Sequence, residues 1–160
     1  MTALQTIFRI HPIPADVLAE VRRCGRGDAG YPVEHLCAEG GEPLRCCLRN
    51  AVAGEALILF GYAPPIPASP YTEIGAVYAH AADCPGPLHT DRYPADWLGK
   101  PQALRAYDAR GWIHPSTTTH DGTDPEAAIA EVLAAPGVVQ VHGRNLAYGC
   151  FMFAVTRANL

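Results

Sequence analysis

The stretch VVQVHGRNLAYGCFMFAVT, residues 138–156, sets the class of fold. Two strand-like segments, residues 138–144 and 151–156, flank NLAYG, whose Asn145 and Gly149 suit a hairpin loop. An antiparallel pair near the end of the chain is therefore expected. Side chains alternate across a strand, so Val139 and Val141 share one face while Gln140, His142 and Arg144 share the other. One face suits a core, and the other carries polar chemistry.

Upstream of this hairpin, residues 125–135 read as a helix. Asp124 is its N-cap, Pro125 stands in its first turn, Ile129, Val132 and Leu133 form the buried stripe, and Pro136 and Gly137 stop it. A second helix is expected over residues 14–23, with Val17, Leu18 and Val21 apolar, and Arg22 and Arg23 before Gly25. A short helical turn is expected near residues 95–98. Further strands are read at residues 44–50, 56–62, 76–81, 103–108 and 112–114, the last two joined tightly through Asp108-Ala109-Arg110-Gly111. Residues 63–72 are proline-rich and read as an ordered surface loop. The pattern fits an α+β fold, one domain over residues 1–160 with a mostly antiparallel twisted sheet and one or two packed helices.

Residues 44–50, taken as a strand, place Leu44, Cys46 and Leu48 on one face and Arg45, Cys47 and Arg49 on the other. Cys47 then sits between two cations, which lowers a thiol's pKa and suits an anionic ligand. In GAVYAHAA, residues 75–82, Tyr78 and His80 point together, opposite Val77 and Ala79; in LRAYDARG, residues 104–111, Arg105 and Tyr107 oppose Leu104 and Ala106. If these faces lie on one side of one sheet, Arg45, Cys47, His80, Arg105, Tyr107, His142 and Arg144 line a single concavity. His80 and Cys47 are the candidate catalytic residues, His80 because an imidazole titrates near neutral pH. Arg45, Arg105, Tyr107, His142, Arg144 and Asn145 are the candidate substrate-binding residues. Each has a plainer reading: arginines as solvated charges, Cys47 as packing, His80 as a satisfied core histidine, Arg105 with Tyr107 as a cross-strand pair, and Asn145 as a turn residue.

The order PLRCCLRNAVAGE, LILFGYAP, SPY, GAVYAHAADC, LRAYDARG and VHGRNLAYGCFMFAVTR, between residues 43 and 157, resembles the bacterial domain-of-unknown-function family numbered 1203. The resemblance implies a soluble, single-domain bacterial protein and supplies no reaction or catalytic residue. Against the family pattern, Leu44 stands where a cysteine is common, Cys46 where a histidine is common, and Ala76 where a proline is frequent.

Composition narrows the partners. Net charge is −4, and the twelve Lys plus Arg residues, of which Lys100 is the one lysine, are scattered rather than gathered into a stripe, which argues against nucleic acid. The start, MTALQTIFRIHPIP, lacks the layout of a secretory signal, and no apolar run approaches the roughly 18–20 residues of a membrane span. A cytoplasmic protein is expected, with no membrane partner. Six cysteines without a signal segment read as reduced thiols. They contain no CxxC, and a bond between adjacent Cys46 and Cys47 would be strained. In HAADCPGPLHTD, residues 80–91, His80, Cys84, His89 and Asp91 are potential ligands, but Pro85 and Pro87 break any helical register and the spacing is not that of a zinc site. The segment HPSTTTHDGTD, with His114 and His120, is richer in turn residues than in ligand geometry. No metal and no cofactor are expected. GxGxxG, GxxxxGK and GxSxG patterns are all missing, so nucleotide and common serine-hydrolase sites are not indicated.

Two classes of function remain. One is a small cofactor-independent enzyme, an isomerase, lyase, cyclase or hydrolase, in which arginines hold an anionic small molecule and His80 or Cys47 performs chemistry. The other is a non-catalytic domain that binds an acidic small molecule or a partner protein. The sequence specifies no oligomeric state.

Overall fold

Alternating apolar residues build two antiparallel-rich sheets with two apolar clusters between and beside them. The computed structural model describes residues 7–158; the first six and last two residues of the domain expected over residues 1–160 lie outside the described residues. The elements are β1 (Phe8–His11), α1 (Ala15–Cys24), β2 (Glu34–Cys37), β3 (Pro43–Leu44), β4 (Arg49–Asn50), β5 (Ala56–Tyr62), β6 (Gly75–His80), β7 (Gln102–Tyr107), β8 (Thr118–His120), α2 (Pro125–Ala134), β9 (Gln140–Asn145) and β10 (Phe151–Arg157). A 3-10 turn, Ala95–Trp97, lies where a helical turn was expected. One sheet has the order β1-β10-β9-β7-β8 and the other β2-β5-β6-β3-β4. The fold is α+β, as expected, but with two sheets where one was anticipated.

The β9–β10 hairpin forms as read. Asn145 N–H donates to the Cys150 carbonyl at 3.1 Å and Gly149 N–H to the Asn145 carbonyl at 3.0 Å. The register shifts between Phe151 and Phe153, and such a bulge turns consecutive side chains toward the same side. Met152 and Phe153 accordingly join one core with Leu104, Val141, Ile129 and Leu133, so that α2 covers this sheet. Phe151 and Ala154 join the other core with Leu57, Phe60, Val77 and Ala79 of the second sheet and Leu18 and Val21 of α1. β10 thus supplies both cores, and burying residues of this kind stabilises by roughly 1.5–3 kcal/mol each.

Local signals place the helices. The Asp124 carboxylate accepts the Ala127 N–H at 3.1 Å, capping α2, a contact of about 1 kcal/mol. Gly25 takes a left-handed conformation, φ 70°, and donates to the Val21 carbonyl at 2.9 Å, ending α1.

Residues 44–50 are not one strand. The chain pairs Leu44 with Arg49 and Pro43 with Asn50, and turns through residues 45–48. Leu48 N–H donates to the Leu44 carbonyl at 3.0 Å, and Leu48 adopts φ 58°. Left-handed leucine is unfavourable by itself; its buried side chain, 5% exposed, offsets that cost. Residues 112–114 also fail to form a strand. Asp108 accepts the amides of Arg110 and Trp112, leaving a single bridge between Tyr107 and Ile113. The expected strands omitted β1, β2 and β8, each of three or four residues.

Gly143 faces Phe153 across β9 and β10, and a β-carbon there would meet the ring at 2.5 Å. The ring is walled in by Tyr93 and Trp97. Gly143→Ala is therefore expected to destabilise by roughly 1–3 kcal/mol, read as a lowered urea midpoint with an unchanged slope.

Candidate functional site

The turn at residues 45–48 brings together what alternation would have separated. Cys46 and Cys47 sulfurs lie 3.8 Å apart, and both approach Nδ1 of His80, at 3.4 and 3.9 Å. His80 ends β6, and the chain then leaves the sheet and returns Cys84 to the same place. The four ligand-type atoms, three Sγ and one imidazole nitrogen, lie within 4.8 Å of one another. The side chains of Cys46, Cys47, His80 and Cys84 therefore form a group able to hold a metal.

His80 is oriented from its other nitrogen. Nε2 lies 2.7 Å from Glu55 Oε2, and a carboxylate there fixes the proton on Nε2 and turns the Nδ1 lone pair toward the sulfurs. Glu55 is itself held: Arg49 makes two bonds to it, at 2.9 and 3.0 Å, and the Val52 amide donates at 2.7 Å. The Arg49 guanidinium keeps its carboxyl well below the usual range. From α1, Arg22 donates twice to the His80 carbonyl, at 3.0 and 3.2 Å, and pins the strand end.

Cys47 is not the thiolate that two flanking arginines would make it. Its hydrogen bond with Cys46 and its burial push its pKa up, whereas Cys46, linked to Cys47 and receiving the His80 amide at 3.3 Å, is shifted down. Arg45 points elsewhere, and Arg49 is engaged by Glu55.

A cavity of about 470 Å³ opens beside this cluster, lined by Cys47, Arg49, His80, Cys84, Arg92 and Asp96 among others. A second, of about 840 Å³, is lined by Arg45, Asn145, Tyr78, Trp97, Gln102 and Cys150 among others. Arg45 is 2% exposed. Its Nε donates to the Phe151 carbonyl at 2.7 Å and its Nη1 to the Pro43 carbonyl at 2.5 Å. Burial lowers its pKa to about 10, and the ionisable groups acting on it are Cys150 and Tyr78, neither a carboxylate. Arg45 is still a cation at neutral pH.

The expected single concavity divides. Cys47 and His80 line the first cavity, while Arg45 and Asn145 line the second. Arg105, Tyr107, His142 and Arg144 share one face of the first sheet, as alternation required, but line neither cavity. Arg105 and Arg144 both pair with Glu73 from the loop before β6. His142 is fully buried, its ring centroid 4.7 Å from Tyr107 and 5.1 Å from Phe151. Cys46, Cys84 and Glu55 were not among the expected site residues. The three-residue spacing of His80 and Cys84 was visible in the sequence, but nothing in it joined that pair to Cys46 or to Glu55.

Burial, with the Arg144 and Arg105 charges, lowers the His142 pKa to about 3, against an ordinary value of 6.5. His142 is therefore neutral in the folded state, while the unfolded chain protonates it below about pH 6.5. Its contribution to stability is complete above that pH and is lost as pH falls toward 3. Stability measured from pH 8 to 4 is expected to drop through this window, and His142→Gln is expected to flatten the acid limb.

No curated protein and no solved structure matches this chain. A family model, described as protein of unknown function (DUF1203), matches residues 41–157, a span containing Arg45, Cys46, Cys47, Glu55, His80, Cys84 and Asn145. The chain belongs to the DUF1203 family.

Proposed function

We propose that the protein binds a small anion carried on an apolar body, such as a carboxylate, in the cavity between β3 and the β9–β10 loop, with Arg45 as the recognising cation. The observation that carries this reading is the Arg45 guanidinium, 2% exposed and without a carboxylate partner among the described residues, on the wall of a cavity of about 840 Å³. Buried charges are ordinarily paired, and ligand cavities fall at about 300–1,000 Å³. Asn145 and Gln102 add polar groups at the wall, and Gln102 is held by the Tyr93 hydroxyl at 2.7 Å. Trp97, Leu59 and Met152 supply apolar surface, and Lys100 adds a second cation.

Binding rather than catalysis is the class this arrangement supports. The thiol and imidazole of the expected enzyme, Cys47 and His80, line the other cavity, so neither meets an anion seated on Arg45.

Trp97 reports on the cavity directly. Titrating benzoate against tryptophan emission, with uncharged benzamide as its isostere, is expected to show about a tenfold preference for benzoate, equivalent to about 1.4 kcal/mol. Arg45→Met is expected to abolish that preference, and Arg45→Lys, which keeps charge without the planar fork, to retain part of it. Equal binding of both compounds by the intact protein, or a preference that survives in Arg45→Met, would sink the reading. Melting curves of both variants separate lost recognition from lost folding.

A further inference from the structure

We propose that Cys46, Cys47, His80 and Cys84 form a closed structural zinc site that ties the 81–94 loop to the β3–β4 turn. It is independent of the anion cavity, since none of its four residues lines that cavity.

The geometry points to a tetrahedron. With Zn–S near 2.3 Å and Zn–N near 2.0–2.1 Å, a tetrahedral centre sets sulfur–sulfur edges at about 3.8 Å and sulfur–nitrogen edges at about 3.5 Å. The Cys46–Cys47 edge is 3.8 Å, and the two edges to His80 Nδ1 are 3.4 and 3.9 Å. Cys84 Sγ completes the set, all four atoms lying within 4.8 Å. A sulfur pair at 3.8 Å is far beyond the roughly 2.05 Å of a disulfide.

The surroundings are those of a ligand set rather than of packed thiols. His80 presents Nδ1 inward because Nε2 is engaged by Glu55 at 2.7 Å, the carboxylate–histidine–zinc arrangement that fixes a ligating imidazole. Arg49 holds that carboxylate in place, and the His80 amide donates to Cys46 Sγ, as amides do toward thiolate ligands. Three thiolates, one imidazole and a tetrahedron favour Zn²⁺ over the oxygen-loving Mg²⁺ and Ca²⁺. Binding releases the thiol protons to solvent and changes no oxidation state. Four protein ligands leave no open position, which marks a structural rather than a catalytic centre. The loop it would hold contains Pro85, Gly86 and Pro87 and no regular element before the 3-10 turn Ala95–Trp97; a metal there replaces the ladder hydrogen bonds such a segment lacks.

The test begins with the purified full-length protein, which is expected to carry one zinc per chain by elemental analysis. Co²⁺ added to metal-stripped protein under reducing conditions is expected to give the intense visible bands of tetrahedral thiolate coordination, saturating at one equivalent. Cys46→Ser, Cys47→Ser, Cys84→Ser and His80→Asn should each shift or abolish those bands, whereas Cys24→Ser and Cys37→Ser should not. Glu55→Gln should retain the spectrum and weaken affinity by about 10–100-fold. Chelation should speed tryptic cleavage after Arg92, within the tied loop. Substoichiometric zinc together with a pale octahedral cobalt spectrum would overturn the proposal. So would a tetrahedral spectrum indifferent to Cys84→Ser, because it would assign the metal elsewhere. If the stripped protein does not refold, the zinc content of the six variants as purified, four inside the cluster and Cys24→Ser and Cys37→Ser outside it, decides the matter without it.

Discussion

The hydrogen bond from Leu48 N–H to the Leu44 carbonyl closes the turn on which both candidate sites depend. It commits Leu48 to φ 58° and shortens what would be a seven-residue strand to two paired residues on each side. In a strand, Arg45 and Cys47 would share a face and Cys46 would oppose them. In the turn, Cys46 and Cys47 converge on His80, and Arg45 passes under β10 to reach the Phe151 carbonyl. β3 is anchored on the other side by its parallel pairing with β6, where Arg45 N–H donates to the Tyr78 carbonyl at 2.9 Å. One local conformation therefore assigns the cation to one cavity and the thiols to another.

The energetics of Arg45 explain why its cavity is receptive. Moving a cation out of water costs several kcal/mol even after relaxation, and hydrogen bonds to a charged group return about 1.5–3 kcal/mol each. Two carbonyl acceptors roughly offset the cost. They satisfy part of a fork with five N–H donors and provide no opposite charge. An anion entering the cavity would meet a guanidinium already desolvated and already oriented, so little ordering would remain to oppose binding.

Much of the fold was legible where its causes are local. The hairpin at Asn145, the Asp124 cap, the α1 stripe of Leu18 and Val21, and the Asp108–Gly111 connection all follow from residue type and period. What escaped the sequence was set by tertiary contact. No glycine or asparagine marks the left-handed position at Leu48, so nothing local announces that turn. β1, β2 and β8 are too short for alternation to stand out, and they form because β10, β5 and β7 offer edges to pair with. The candidate site was legible in pieces. His80 and Cys47 do meet, but the cluster is completed by Cys46, 34 positions before His80, and by Cys84, four positions after it, a juxtaposition that spacing along the sequence does not encode. Face sorting did group Arg105, Tyr107, His142 and Arg144, yet it carried no information about Glu73, which arrives from a loop and pairs with both arginines.

The distribution of carboxylates among the arginines gives the sites their separate characters. Arg49 is consumed by Glu55, and through that pair it orients His80 rather than binding a ligand. Arg144, 6% exposed, and Arg105 are consumed by Glu73, which clamps the first sheet to the loop entering β6. Arg22 spends its guanidinium on the His80 carbonyl and Asp83. Of the two buried arginines, Arg144 has its counter-ion and Arg45 has none among the described residues. A protein with sixteen acidic residues and twelve basic ones has carboxylates to spare, so leaving this one cation unpaired at a cavity wall is a matter of placement rather than of supply, and the carboxylate it lacks is one that a ligand can bring.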